Sequence, residues 1–401
     1  MRPRSLFVSA CAGIFVFGIV LAILGTVFGL PAMRARLGID LAQQGNLFLL
    51  LYAGIFCASL IVGPLIDHVG NKANLFVSSA IVAVAMLLFS FAHSFLAASV
   101  AALLLGFGGG GLNTCTNALV SDLYGDQRGP MLNLLGIFFG IGALGVPLLA
   151  ATIKGHFTIP QLFFFCAFLS TSCAVAYAVM RFPPVKGAQA FSWREVFAVA
   201  RYEGLLLLAF ILFFESGNEA CIGGWTSTYV NSTGESPEVA TLVLAAYWAF
   251  LMLSRIVAAR LLQRTRKSHL VLASALISLA GCAILLSAGS RMSLVAGTGM
   301  IGLSYGPIFP TTLGIAGDRY SKAAGTVFGF LFSIALIGGM LLPWAVGQLS
   351  QRQTVRAGMI VPCFGAVCIS TLAAVVVFRE RYRTRISASA HEDIRFSDES
   401  G

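Results

Sequence analysis

The sequence predicts an all-α membrane protein with twelve transmembrane helices arranged as two six-helix bundles. Three observations support this fold class: an apolar composition, apolar runs that recur along the chain, and a second half that repeats the first. Of the 401 residues, 58% are hydrophobic and 10% are charged, and the mean hydropathy is +0.88. Soluble domains are roughly 45–50% apolar and 25% charged. The composition therefore excludes a water-soluble domain.

Twelve apolar runs are long enough to cross a bilayer, which takes roughly 20 residues of helix each. The first run follows Arg2 and Arg4. It is too long for the apolar region of a signal peptide and has no clean small-residue cleavage site, so it is interpreted as the first span. The runs lie at residues 6–31, 45–66, 73–92, 95–120, 130–153, 160–181, 204–230, 239–262, 268–288, 291–316, 323–349 and 355–378.

The positive charges of the loops predict the orientation. Loops on the side of the N-terminus hold about three times as many Lys and Arg residues as those on the opposite side, which is typical of the cytoplasmic side. Both termini are therefore predicted to be cytoplasmic. The same bias accounts for the net charge of +10 and indicates contact with membrane lipid, and nothing else in the chain indicates nucleic-acid binding.

The second half of the chain repeats the first. The first and seventh runs match through Gly18 with Gly217 and Gly25 with Gly224. Parallel repeats of six spans are an established plan of membrane transporters. Elsewhere a shift of 196 positions pairs Gly106 with Gly302, Asp122 with Asp318, Tyr124 with Tyr320, Gly129 with Gly325, Gly142 with Gly338, and Pro147 with Pro343.

The longest break between apolar runs separates the two repeats. It reads RFPPVKGAQAFSWREVFAVARYEG, and its apolar-faced stretch around Trp193 predicts a short interfacial helix. The arginine-rich stretch after Phe378 predicts a disordered cytoplasmic tail. The predicted organisation is an N-terminal bundle at 1–181, a cytoplasmic linker at 182–203, a C-terminal bundle at 204–378 and the tail at 379–401.

No cluster of reactive side chains indicates an enzyme, a metal site or a cofactor site. The nine cysteines lie singly, mostly within apolar runs, and are interpreted as small hydrophobic residues. A membrane enzyme would need several reactive groups at one depth. We therefore expect no metal, no cofactor and no catalytic residue. The histidines are scattered at His68, His93, His156, His269 and His391.

Two acidic residues lie inside the seventh run, in FFESGNEACIGGWTSTYV. Glu215 and Glu219 lie about 16 Å and 22 Å from Gly204 at the α-helical rise, which straddles the middle of the membrane. Four residues apart, they share a helix face. Two carboxyl groups this close in a low dielectric should not both ionise, so they are predicted to hold a proton jointly and to couple transport to protons. The alternative is structural pairing with a neighbouring helix.

Polar amides and aromatic rings are the candidate substrate contacts. Asn113 and Asn117 share a face of the fourth span, and an amide can donate to and accept from hydroxyl groups. An aromatic ring stacks on the apolar face of a sugar. Interhelical hydrogen bonds and lipid-facing aromatic belts are the competing interpretations. The further candidates are Asn218, Gln44, Trp225, Tyr229, Tyr247, Trp248, Tyr305 and Trp344.

The stretch GPLIDHVGNKANL, residues 63–75, resembles the loop signature of the major facilitator superfamily. His68 and Asn71 stand where the signature has arginines. The resemblance implies the major facilitator fold and alternating access around a central cavity. It also implies a conformational latch that includes Gly63, Asp67, Gly70 and Lys72. Arg255 of the eighth span would belong to the second-half version of this latch. The matching residues are Gly63, Leu65, Asp67, Gly70 and Lys72.

Other stretches resemble one branch of that superfamily, the fucose and glucose/galactose proton symporters. They are GFGGGGLNTCTNALVSDLYGD, LNLLGIFFGIGALGVPLL, NEACIGGWTSTYV and GLSYGPIFPTTLGIAGDRY. The resemblance implies a sugar-like substrate carried with protons or another cation, with Glu219 at the branch's acidic position and Asn117 at its asparagine. The chain departs from the branch in having no acidic residue in the first span and in having Gly136 where a histidine is common.

The predicted function is secondary transport of a small polar organic solute, a sugar or polyol, driven by protons. A proton-driven efflux antiporter of amphipathic or drug-like compounds is the alternative, because it too would use a buried acid pair. The short loops predict a bacterial inner-membrane protein, and we expect a monomer.

Overall fold

The computed structural model describes residues 3–125, 128–152, 158–183, 199 and 201–398, with residues 383–398 as backbone. The described residues are mostly helical and include no strand. The interfacial helix predicted near Trp193 lies outside them. The helices are α1 (Pro3–Phe28), α2 (Pro31–Leu37), α3 (Leu41–Phe91), α4 (Phe95–Tyr124), α5 (Arg128–Thr152), α6 (Ile159–Val179), α7 (Leu205–Ser232), α8 (Pro237–Leu261), α9 (Lys267–Leu286), α10 (Arg291–Arg319), α11 (Ala324–Arg352), α12 (Val355–Gly358) and α13 (Ile360–Asp398).

Helix α3 contains two membrane spans. Its 51 residues would extend about 75 Å if straight, more than twice the hydrocarbon thickness of a bilayer. Gly70 interrupts it with φ 82° and ψ 167°, a conformation that glycine adopts without strain. The side-chain amide of Asn74 donates to the Gly70 carbonyl at 2.8 Å. The chain therefore reverses direction at Gly70, as the sequence predicted for residues 67–72.

Eleven helices among the described residues are long and apolar enough to cross a membrane. Because α3 counts twice, the prediction of twelve spans is confirmed. One difference lies at the C-terminus, where α13 continues through Asp398 although a disordered tail was expected after Phe378. Alanine, arginine and glutamate in this stretch are good helix formers, and extending an existing helix avoids the cost of nucleation.

The capping residues of the two halves lie at equivalent positions. Asp40 begins α3 and accepts from the backbone N–H of Gln43 at 2.7 Å. Its partner under the 196-residue shift, Ser236, begins α8 and accepts from Val239. Two further pairs of capping residues obey the same shift, which shows that the duplication extends to the ends of the helices. They are Ser94 with Ser290 and Thr158 with Thr354.

The closest helix crossings are also repeated, and each passes through a glycine. A Cβ on Gly106 of α4 would collide with the backbone carbonyl of Leu51 in α3. In the second half, a Cβ on Gly302 of α10 would lie 2.6 Å from the carbonyl oxygen of Tyr247 in α8. Small residues allow this approach between helices in lipid. The equivalent contacts of α5 with α1 and α11 with α7 are Gly142 with Phe15 and Gly338 with Phe213.

Each half is a bundle of six spans. In the first, α3 packs against α4 and α6, and α1 packs against α5 and α4. In the second, α7 packs against α11 and α13, and α10 packs against α8 and α9. Three helix pairs join the halves: α3 with α11, α5 with α8, and α1 with α7. These pairs surround the middle of the molecule, where the candidate site lies.

The glycine crossings predict a matched effect on stability. Gly106→Ala and Gly302→Ala should each lower the free energy of unfolding by about 1–3 kcal/mol, the range for overpacking, because the new methyl group meets backbone atoms that cannot rotate away. The control is Gly145→Ala, a helical position with nothing within 4 Å of the added methyl. Thermal unfolding in detergent measures the difference. Equal stability of the three variants would contradict the crossing geometry.

Candidate functional site

The acidic pair lies in the middle of α7. Glu215 is fully buried, and neither of its carboxylate oxygens has a hydrogen-bond partner. Glu219 lies one turn further along the same face and is partly exposed. From Leu205 they are about 15 Å and 21 Å along the helix at its normal rise. The pair therefore lies in the middle part of α7, with one carboxyl enclosed and the other accessible.

Two tyrosines from other helices lie near this pair. The Tyr52 hydroxyl of α3 and the Tyr247 hydroxyl of α8 are within electrostatic range of both Glu215 and Glu219. A Cβ on Gly339 of α11 would lie 2.7 Å from the Tyr52 ring, which shows how closely α3 and α11 approach here. Tyr52 was not among the predicted site residues. Its signal was present in the sequence, since it is the polar residue of the run LFLLLYAGIF.

Arg255 is partly buried where α8 faces α5. Its guanidinium lies 5.7 Å from the centre of the Phe139 ring of α5 and within electrostatic range of Glu215 and Glu219. Its Nε has no hydrogen-bond partner. The sequence grouped Arg255 with the latch, but under the 196-residue shift it corresponds to Ser59, before the latch residues begin. Its contacts are with α5 and the acidic pair.

An aromatic wall continues from Arg255 toward the middle of the membrane. The rings of Phe139 and Trp248 meet edge to face at 6.1 Å, and Trp248 and Tyr247 meet at 5.1 Å. Both the Trp248 indole N–H and the Tyr247 hydroxyl are buried without a hydrogen-bond partner. A buried donor without a partner is costly, so these two groups are suited to bind a ligand. Phe139 was not predicted, because an isolated phenylalanine in a span carries no polar signal.

Four predicted substrate residues have partners within the second half. The Asn218 amide donates to the Pro362 carbonyl at 2.9 Å, and the Trp225 indole donates to the Pro343 carbonyl at 3.1 Å. The Tyr229 hydroxyl donates to the Leu285 carbonyl at 2.9 Å, and the Tyr305 hydroxyl accepts from Ser278 at 3.4 Å. These contacts support the structural interpretation for Trp225, Tyr229 and Tyr305, whereas the Asn218 side-chain oxygen is buried without a hydrogen-bond partner.

The remaining candidates either lie away from the acidic pair or form hydrogen bonds with other side chains. The Asn117 amide donates to the side-chain oxygen of Asn113 at 2.9 Å, so the two asparagines of α4 satisfy each other in part. The Gln44 amide donates to the Thr228 hydroxyl at 3.1 Å. Trp344 is 37% exposed on α11. The structure thus brings together Glu215, Glu219, Tyr247, Trp248 and Arg255 from the predicted set.

The family model of the Major Facilitator Superfamily matches residues 10–214 and again residues 205–397. These two matches cover nearly the whole described chain, one for each half. The chain belongs to the major facilitator superfamily. It is therefore a multi-pass membrane transporter and not an enzyme.

Several relatives match this transporter over most of their length. The MFS-type transporter YfkL of Bacillus subtilis is 24% identical over 82% of this chain and 85% of its own. The glucose/mannose transporter GlcP of the same organism is 24% identical over 76% of this chain and 78% of its own. Sodium-dependent glucose transporter 1A of the mouse is 21% identical over 90% of this chain and 93% of its own. A crystal structure of the nucleoside transporter NupG superposes with a TM-score of 0.77 at 15% identity, over 92% of this chain and 98% of that one.

The latch signature of the transporter forms the turn between the two spans of α3. A Cβ on Gly63 would have nothing within 4 Å, and Gly70 has the positive φ described above. Lys72 is exposed and Asp67 is partly exposed. Lys267, at the equivalent loop of the second half, forms an ion pair of 2.6 Å with Asp318 near the end of α10.

The two halves of the transporter meet tightly at one end, which we call the α2 end because α2 lies there. The Thr228 hydroxyl donates to the Phe28 carbonyl at 3.3 Å, and the Gln351 side-chain oxygen accepts from the Leu41 backbone at 3.0 Å. A Cβ on Gly45 would lie 3.0 Å from the Cα of Gly347. Backbones of α3 and α11 thus touch, and the two halves are closed against each other at this end.

The closed end predicts a specific crosslink. The Gln348 amide of α11 donates to the Asn46 side-chain oxygen of α3 at 3.3 Å. The double variant Asn46→Cys with Gln348→Cys should therefore react with a short bifunctional thiol reagent, and peptide mass spectrometry should detect the linked α3 and α11 fragments. Each single variant is a control for the native cysteines. A double variant that yields no linked fragment would show that the halves are separated here.

Proposed function

We propose that this transporter carries a small polar organic solute, a sugar or polyol, by alternating access coupled to protons. The observation that carries the proposal is the acidic pair of α7, with Glu215 enclosed and unpartnered and Glu219 accessible one turn away. A charged carboxylate at the middle of a bilayer costs roughly 2.5–3.5 kcal/mol on insertion scales. A transporter retains such groups where they bind and release a coupling ion.

The pair is suited to handle a proton because its two carboxyl groups differ in access. Glu219 is the leading coupling residue, since it is the more accessible, and Glu215 shares its proton within a common titration. The closed α2 end supports alternating access, since a cleft sealed at one end must exchange its contents through the other. On the predicted orientation the α2 end faces outside, and the transporter lies in the cell inner membrane as a monomer with both termini cytoplasmic.

The substrate class rests on the aromatic wall and on two relatives. Trp248 and Phe139 provide ring faces and edges that suit the apolar side of a sugar, and the Tyr247 hydroxyl is free to bind one of its hydroxyl groups. GlcP and the mouse relative are named as glucose transporters. These similarities support a sugar as the substrate. Because the mouse relative is named as sodium-dependent, the test must also identify the coupling ion.

Replacing Glu219 should separate exchange from driven accumulation. In proteoliposomes, Glu219→Gln should still exchange a labelled sugar but lose accumulation driven by an imposed pH gradient, because the neutral amide cannot bind and release a proton. The control is Glu235→Gln, which removes an exposed ion pair with Arg291 of 2.8 Å far from α7's centre and should keep both activities.

Three results would contradict this proposal. Accumulation driven equally by a pH gradient in wild type and Glu219→Gln would remove Glu219 from coupling. Accumulation driven by a sodium gradient alone would replace the proton as coupling ion. No exchange of any sugar by a folded protein, together with proton-driven export of an amphipathic dye, would favour the efflux antiporter.

The unpartnered Tyr247 hydroxyl predicts a change in affinity without loss of stability. Tyr247→Phe should raise the KM for the sugar by about 5- to 30-fold, since it removes a hydrogen bond of about 1–2 kcal/mol, while the thermal stability stays equal or rises. Tyr177→Phe is the matched control. Its equally buried hydroxyl donates to the Ser9 carbonyl at 2.8 Å, so this variant should lose stability and keep its KM. An unchanged KM in Tyr247→Phe would exclude the hydroxyl from binding.

A further inference from the structure

Arg255 is a partly buried cation that has no ion-pair partner among the residues the structure describes. The ion pairs among the residues that the structure describes involve other side chains: Lys267 with Asp318, Arg291 with Glu235, and Arg319 with Glu380. The Arg255 Nε is buried without a hydrogen-bond partner. An uncompensated charge within a bilayer is costly, and such groups usually mark a substrate or ion pathway.

Three helices surround the side chain of Arg255. A Cβ on Gly136 of α5 would lie 3.6 Å from the Nη1 atom of Arg255, an ordinary contact distance, so α5 approaches one side of the guanidinium. On the other side, the stem of Arg255 packs near Gly306 of α10. The Phe139 ring lies beneath the guanidinium at 5.7 Å. The charged group is thus held between α5, α8 and α10.

The unpartnered groups next to Arg255 are mainly hydrogen-bond donors. A guanidinium and an indole N–H can only donate, and the Tyr247 hydroxyl donates or accepts. Trp248 contacts the same Phe139 ring as Arg255, so these groups border one region. A ligand that satisfies them must supply acceptor oxygens, and one that satisfies the guanidinium best is negatively charged.

The acidic pair can compensate Arg255 in only some protonation states. Glu215 and Glu219 lie in electrostatic range of Arg255 but outside ion-pair distance. Among the described residues, the hydroxyls of Tyr52 and Tyr247 also lie in electrostatic range of the pair. When both carboxyls are protonated, Arg255 has no negative charge to balance it. A transported anion would then supply that charge, so proton and anion would enter together.

We infer that Arg255 binds a carboxylate of the substrate, which makes the substrate a hydroxylated organic acid of the sugar-acid class. This inference rests on the proposed function and narrows its substrate. A guanidinium forms two parallel hydrogen bonds with a carboxylate, and Trp248 and Tyr247 are placed for the ring and hydroxyl groups of the same molecule. A carboxylate fits better than a phosphate ester, because a single arginine beside two acidic residues balances one negative charge and not two.

Counterflow exchange with a matched pair of sugars tests the inference. Wild type should exchange labelled glucuronate with a KM at least about tenfold lower than that for glucose, since a charged hydrogen bond adds that much affinity. Arg255→Gln should raise the glucuronate KM about 10- to 100-fold and leave the glucose KM within about threefold. Arg255→Lys should retain part of the preference because it keeps the charge. Arg260→Gln, an exposed arginine further along α8, is the control and should match wild type.

The outcomes separate this inference from the proposed function. Exchange of glucose without a preference for glucuronate, or an equal KM increase for both sugars in Arg255→Gln, would overturn the carboxylate site and leave the sugar transporter standing. Preference for glucose 6-phosphate over glucuronate would assign the site to phosphate. Exchange of none of the three would overturn both proposals. If Arg255→Gln does not fold, stabilisation against heat by glucuronate should appear in wild type and be weaker in Arg255→Lys, and equal stabilisation of the two would overturn the inference.

Discussion

The cost of placing ionisable side chains in hydrocarbon governs the centre of this transporter. Glu215, Glu219 and Arg255 lie in spans α7 and α8, where each charged group costs roughly 2.5–3.5 kcal/mol unless its surroundings compensate it. The three groups lie within electrostatic range of one another, but no direct ion pair joins them. Their charges can therefore be balanced by protons or by a bound solute. An acidic pair joined to Arg255 by a permanent ion pair would be structural.

Close packing of the helices away from these charged residues makes each half of the transporter rigid. In lipid, helices associate through van der Waals packing, because hydrocarbon offers no hydrophobic gain. Glycines such as Gly106 and Gly302 let backbones touch within each half. Gly45 and Gly347 allow the same closeness between the halves at the α2 end. Hydrogen bonds of Thr228, Gln348 and Gln351 also cross this end, so the halves separate only when these bonds and the backbone contact break together.

The two halves share their helix ends and helix contacts but differ in their charged residues. Capping residues and glycine crossings recur at the same shift, because both serve helix ends and helix contacts that the fold needs in each half. The acidic residues do not recur. The shift of 199 positions that matches the first and seventh spans places Val16 and Val20 opposite Glu215 and Glu219, and both valines are buried. The first half thus presents apolar side chains where the second presents the charged ones.

The sequence by itself determined the spans, the repeat and the position of the acidic pair along its helix. Apolar length sets the number of spans, and four-residue spacing sets a shared face, so both can be derived without a partner helix. The same reasoning could not distinguish Tyr247 and Trp248 from the other aromatic candidates, and it grouped Arg255 with the latch residues.

Only the tertiary structure decided which polar groups remain unpartnered. Trp225 looked as suitable as Trp248, yet a carbonyl of α11 accepts from its indole N–H. Tyr52 and Phe139 joined the site because α3 and α5 turn those faces toward α7 and α8. In a helix buried on several sides, the hydropathy pattern does not fix rotation about the helix axis. The contacts between helices fix it, and with it the side chains that face the cleft.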